Sequence, residues 1–314
     1  MEVVIFGLKL NVDPIAFTIK LGDFEWSIYW YGVIIALGFL GALVYAMKYY
    51  KRFNLDLNRI LDVVLVTTPL AILCARAYYV IFDGEKLESF GEFFGFGSDS
   101  GISGLAIYGG VIGAFLIGAV MCIIRKVNIL DMFDITAIGF LIGQGVGRWG
   151  NFINQEAFGG PTGSSWWGMT SENVVYDFTV KGYDPNALAH PCFLYESLWC
   201  IAGFFLLHHF SKKRLFSGQM VLMYGVWYGF GRGFIELLRT DSLMLGKIKV
   251  SSLLSFALCL GAGALLYAFT KKAKNSDEGK VYDEMFNADD ETETIEEKSV
   301  ETDAESEEET EENE

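Results

Sequence analysis

Five polar side chains crowd the end of a mostly apolar run in the middle of this chain. After residues 132–147 come Arg148, Asn151, Asn154, Gln155 and Glu156, all within nine positions. Their types suit the handling of an anion. An arginine fork donates two parallel hydrogen bonds to a phosphate or carboxylate. Amides hold single oxygens, and a glutamate accepts a proton. The same kinds of residue interrupt other apolar segments: Arg76, the group His190, Tyr195 and Glu196, and Arg232 with Glu236 one helical turn on. Tyr31 and Tyr108 open two more. In lipid such groups are costly, so they usually face a protected interior and mark a site. The plainer alternative is a helix that stops at Gly147 and polar successors that meet water.

Whether these residues share a site depends on the elements that carry them. Seven segments approach the roughly 20 residues that a spanning helix needs. They are 27–47, 60–81, 105–124, 132–150, 192–210, 218–237 and 251–270, the second, fourth and sixth interrupted by charge. The expected fold is all-α, a polytopic membrane protein with seven transmembrane helices. An outer-surface arm is expected over 1–26 and a seven-span membrane domain over 27–272, with a long aromatic head loop at 151–191. Residues 273–314 are expected to form an acidic, disordered cytoplasmic tail.

Basic residues set the orientation. Lys48, Lys51, Arg52 and Arg59 follow the first span, and Arg125 and Lys126 the third. Lys212, Lys213 and Arg214 follow the fifth, and Lys271, Lys272 and Lys274 the seventh. The loop 82–104 is acidic instead, and 151–191 carries Lys181 as its single lysine or arginine. The N-terminus is therefore expected outside and the C-terminus in the cytoplasm. Arg239, Lys247 and Lys249 argue weakly the other way.

That orientation gives each polar residue a depth. Arg76 lies sixteen residues into the second span, roughly 24 Å up at 1.5 Å per residue. Arg148 reaches a similar height on the fourth span, and Arg232 and Glu236 lie near the outer end of the sixth. Tyr31, Tyr108, His190, Tyr195 and Glu196 lie near the outer starts of the first, third and fifth. The convergence predicts an outer-side polar cavity. Three arginines there would cost on the order of 8–10 kcal/mol unless they share partners or snorkel to the interface. Helical spacing offers Gln144 and Asn151 to Arg148, and Glu236 to Arg232. A cationic cavity open to the outer leaflet fits the phosphate of an anionic lipid. Trp149, Phe152, Trp166 and Trp167 are expected as interfacial anchors.

Composition narrows the classes. The formal charge of −15 is a property of the tail: residues 275–314 hold 19 acidic and 2 basic side chains, leaving a body of 22 basic and 20 acidic. No nucleic-acid footprint is present. Cys74, Cys122, Cys192, Cys200 and Cys259 fall in or beside apolar segments without metal-like spacing and read as small buried hydrophobes. No metal or organic cofactor site is visible, and the first seven residues do not resemble a cleavable signal peptide. A membrane transporter or lipid-binding protein using the same cavity without covalent chemistry is the alternative class, although no half-to-half similarity supports it.

The stretch GRWGNFINQEAFG at 147–159 resembles the signature of the bacterial prolipoprotein diacylglyceryl transferase family. WYG at 30–32, AR at 75–76, YGG at 108–110, HPCFLYE at 190–196 and YGFGRGFIE at 228–236 follow in the family's order. The resemblance covers roughly 25–270 and leaves out the tail. It implies a seven-span enzyme of the bacterial plasma (inner) membrane, acting in the first step of lipoprotein maturation. Such enzymes move the diacylglyceryl group of phosphatidylglycerol onto the lipobox cysteine thiol of a preprolipoprotein, and glycerol 1-phosphate leaves. By similarity Arg148, Arg232, Glu156, Glu236 and the residue at position 108, Tyr108, are expected in catalysis. Asn151, Gly159, Tyr31 and Tyr228 are also expected to be functional, with Arg76 and His190 at less decisive positions. One position departs: Tyr108 stands where many members have histidine. A phenol, with a pKa of about 10, is a poor base at neutral pH. The base therefore stays open among Glu156, Glu236 and His190, and Tyr108→Phe is expected to be more damaging than Tyr108→His.

Overall fold

The computed structural model describes residues 2–21, 24–83, 93, 104–240, 244–245 and 248–275. Apart from residues 273–275, which end the last helix, the expected tail lies outside the described residues, as does most of the acidic loop 82–104. Seven long helices occur among them: α1 (Trp30–Tyr49), α2 (Leu57–Asp83), α3 (Ile107–Arg125), α4 (Ile129–Ile153), α6 (Cys192–Ser211), α7 (Gln219–Leu238) and α8 (Val250–Lys274). Each covers an expected segment to within a few residues at either end. Six are long and apolar enough to cross a membrane. The exception is α7, whose apolar run is diluted by Gln219, Arg232, Glu236 and four glycines.

The chain is mostly helical, and the all-α expectation needs correction at the N-terminus and head. Strands β1 (Glu2–Ile5) and β2 (Leu8–Asn11) form a hairpin turned by Phe6 and Gly7, both at positive φ. That backbone suits the right-handed twist of a two-residue hairpin. β1 also pairs with β5 (Met169–Ser171), so the start of the arm joins the head loop in one sheet. Val3 is fully buried there against Phe152, Met169, Val174, Phe178 and Phe193. A second hairpin, β3 (Ile15–Leu21) and β4 (Phe24–Tyr29), runs straight into α1. The head adds α5 (Glu172–Lys181), capped by Ser171 and closed by Gly182 at φ 73°. A last small pair, β6 (Met244–Leu245) and β7 (Ile248–Lys249), leads into α8.

Helix α4 is the most enclosed of the candidate spans. It packs on α1, α6 and α7, while α2 pairs mainly with α3, and α8 with α7. Close approach relies on small residues, as in other membrane bundles. A Cβ on Gly38 of α1 would come within 3.2 Å of the Gly143 backbone on α4. The α6–α7 contact is reciprocal. Trp199 Nε1 donates to Trp227 O and Trp227 Nε1 to Trp199 O, both at 2.9 Å, with the indoles stacked 4.2 Å apart. Gly231 and Gly203 leave the space that these rings fill.

At the end where α4 and α7 begin, Arg214 is fully buried. Its Nη1 donates to Asp131 at 2.7 Å and Asp134 at 2.9 Å. Asp134 also accepts from the Gly218 and Val221 amides. Arg214 is therefore not the free loop cation that its place beside Lys212 and Lys213 implied. It ties the α6–α7 turn to the start of α4.

Candidate active site

The opposite ends of α4, α6 and α7 bring two of the three expected arginines, Arg148 and Arg232, together. Asn128 caps the start of α4 through the Leu130 and Asp131 amides, and the helix then runs unbroken to Ile153. That length carries Arg148 and Asn151 to its far end. There Arg148 Nη2 lies 2.6 Å from Glu196 Oε2, and Arg232 Nη1 lies 2.5 Å from Glu196 Oε1. Arg239 approaches the same carboxylate at 3.6 Å. Arg232 also pairs with Glu236 one turn on, as the spacing predicts. The two glutamates are almost completely buried, whereas the Arg148 and Arg232 side chains are 19% and 18% exposed. Three arginines thus meet two buried carboxylates, and the cations lie on the accessible side.

A second chain of contacts extends from Arg148. Its Nη1 donates to Asn151 Oδ1 at 3.4 Å, and Asn151 Nδ2 donates to Glu156 Oε1 at 2.8 Å. Asn154 Nδ2 reaches the same oxygen at 3.5 Å. Glu156 is exposed and held by amides. Its flanking residues Gln155 and Ala157 both adopt positive φ, at 54° and 58°, which folds this short stretch back over the helix end. The Tyr31 ring lies against Gly150, two residues from Arg148. Tyr228 stacks on Tyr224, and its charged neighbours are Arg148, Glu196 and Arg232. Gln144, expected beside Arg148, instead donates to Tyr224 OH at 2.9 Å. At its position on α4 the tyrosine hydroxyl is the nearer partner.

Gly159 is a close backbone crossing. Its amide donates to His190 O, and a Cβ there would lie within 2.9 Å of Leu238 O, Cys192 Sγ and His190 Cβ. His190 lines a cavity of about 370 Å³ with Arg239, Thr240, Tyr183 and Lys249. Its Nδ1 lies 3.3 Å from Tyr195 OH, which accepts from Trp167 Nε1. Burial pushes the His190 imidazole below its usual pKa, so the neutral ring is favoured. Lys249 donates to the carbonyls of Glu236, Leu237 and Arg239 and closes the end of α7. Arg239 and Lys249, two of the three cations that argued against the orientation, are thus held locally; Lys247 lies outside the described residues.

Besides Tyr31 on α1, two expected members sit on helices other than the three that form the cluster. Arg76 is buried on α2, where Nη1 donates to Gly104 O at 3.4 Å and the guanidinium lies over the Tyr79 ring. Tyr108, at the start of α3, is 71% exposed. Among the aromatic anchors, Trp149 and Trp166 are exposed while Phe152 is buried.

A sequence profile of the prolipoprotein diacylglyceryl transferases matches residues 14–268. A phosphatidylglycerol–prolipoprotein diacylglyceryl transferase of Finegoldia magna is 40% identical over 269 residues, 85% of this chain and all of that protein. The chain belongs to this family. Proteins of the same name from Bacillus cytotoxicus and Clostridioides difficile are 39% and 36% identical, over 81% and 84% of this chain and 91% and 98% of theirs. Two residues of this transferase's cluster come as additions: Glu196, expected in the polar layer but with no task assigned there, and Arg239, expected only as a loop cation. For Glu196 the available signal was an intramembrane carboxylate in the HPCFLYE motif. Arg239 carries no such signal, since its sequence neighbours are those of an ordinary loop charge.

Proposed function

We propose that this chain transfers the diacylglyceryl group of phosphatidylglycerol to the lipobox cysteine thiol of a prolipoprotein, with glycerol 1-phosphate leaving. The observation that carries the reading is the meeting of Arg148 and Arg232, from two helices, over one buried carboxylate in a bundle of membrane-length helices. The names of the relatives describe the same reaction. In the covalent step the thiol sulfur attacks a glyceryl carbon. The carbon–oxygen bond to phosphate breaks, its electron pair stays on the phosphate oxygen, and the thiol proton passes to a base. A free thiol has a pKa of about 8.5, so little thiolate exists at neutral pH.

Arg148 and Arg232 stabilise the charge that grows on the phosphate, a preorganised electrostatic role. Asn151 holds a phosphate or glycerol oxygen. Tyr31, Tyr228 and the close crossing at Gly159 shape the walls. Glu156 is the best-placed base: it is exposed and aligned by Asn151 and Asn154, whereas Glu236 is committed to Arg232. His190 lines the neighbouring cavity.

The same reading makes α7 a seventh span, with the N-terminus outside, the C-terminus cytoplasmic and the arm and head over the outer leaflet of a bacterial plasma membrane. Contacts of Arg52 with Ser211, Arg59 with Lys126 O and Arg125 with Asp62 support it by gathering basic residues at one end. The test is direct. Purified protein, phosphatidylglycerol and a lipobox peptide should yield a thioether-linked lipopeptide and free glycerol phosphate. Lipid binding with no covalent product would favour the transporter or binding reading instead.

A further inference from the structure

We propose that Glu196 is a positioning residue that weakens the cluster's hold on the departing phosphate while it aims the arginines. The inference rests on the phosphate reading above. The Glu196 side chain is 3% exposed, against 19% for Arg148, 18% for Arg232 and 13% for Arg239. An anion approaching from the accessible side therefore meets guanidiniums whose charge is already shared with a carboxylate beyond them. That carboxylate repels any phosphate held by the forks.

The repulsion acts unequally on substrate and product. The phosphodiester of the lipid carries one negative charge. Glycerol phosphate is a monoester and carries about −1.5 to −2 at neutral pH. Arginines alone would hold the product harder than the substrate. A fixed negative charge behind them opposes the product about twice as strongly, because Coulomb energy scales with the ligand's charge. Glu196 is thus a counterweight that favours release, as well as the shared anchor of Arg148 and Arg232.

A residue that only braces the fold would behave differently when neutralised. Its loss would free the arginines and weaken both ligands. Neutralising a counterweight tightens both, and the product more. The experiment uses the purified full chain with phosphatidylglycerol in mixed micelles, a lipobox peptide, and added glycerol 1-phosphate as inhibitor. For Glu196→Gln the inhibition constant should fall about tenfold and KM for the lipid about threefold, with kcat also reduced. Glu196→Asp, which keeps the charge but draws it back by one methylene, is the variant to use if Glu196→Gln does not fold. It should lower the inhibition constant in the same direction, by about two- to threefold. An inhibition constant that stays level or rises in the variant used overturns the proposal, as do equal falls in both constants for Glu196→Gln. If glycerol 1-phosphate does not inhibit the parent at all, the phosphate reading itself fails, and this inference with it.

Discussion

Arg214 and Arg232 stand near opposite ends of α7, and each is bound by two carboxylates. The arginine at the first end is sealed, with no exposed surface, and its acidic partners are buried with it. Asp134 is completed by two backbone amides. At the other end the carboxylates are buried but the arginines are not. Glu196 is also divided among Arg148, Arg232 and Arg239. Burial of charge alone therefore does not mark a site. What distinguishes the second cluster is a surplus of cations on the side that a ligand can reach. A buried ion pair is weak evidence even for net stability, but breaking one is expensive.

The sharpest way to break this comparison is to remove an arginine from each end. Arg148→Ala or Arg232→Ala should lower kcat by about 10²–10³, the size expected for losing a preorganised donor, while the protein still inserts and folds. Near-normal lipopeptide formation by either purified variant would remove that residue from the phosphate grip. Arg214→Ala should do the reverse. It strands Asp131 and Asp134, so unfolding free energy in detergent should fall by about 3–5 kcal/mol, with turnover per folded molecule kept. A catalytic loss without a stability loss at Arg214 would erase the distinction between the two ends.

Smaller effects sharpen it. Gly159→Ala pushes a methyl against Leu238 O, Cys192 Sγ and His190 Cβ, and should cost about 1–3 kcal/mol of stability by overpacking. His190 should give folding stability a pH dependence. Its folded pKa is lowered, so the unfolded chain binds more protons as pH falls through about 6.5. Stability from this group is present above that value and declines below it, and His190→Gln should flatten the slope in thermal unfolding between pH 5 and 7 (roughly the window set by that reference value). Last is Tyr108→Phe. The motif ranks Tyr108 with the arginines, but its 71% exposure predicts a change in kcat of less than about threefold. A large loss would mean that α3 reaches the reacting groups.

The helical segments were legible because each is a long apolar run, and lipid or a packed bundle demands one. Arg232 with Glu236 was legible too, being a contact within one helix. Glu196 and Arg239 were harder. Their partners lie on other helices, so their roles exist only once α4, α6 and α7 converge. Gln144 shows the same limit from the other side: helical spacing offered it to Arg148, and a tyrosine on another helix took it. The strands of the arm are not legible from apolar length, the property that reveals a span. β1 finds its second neighbour more than 160 residues away, in β5.

The paired indoles of Trp199 and Trp227 carry a mechanical consequence. Each ring is fastened to a carbonyl on the opposite helix, so sliding α6 along α7 breaks both bonds at once. The two helices are riveted, and the jaws that carry Glu196 and Arg232 are set before any lipid arrives.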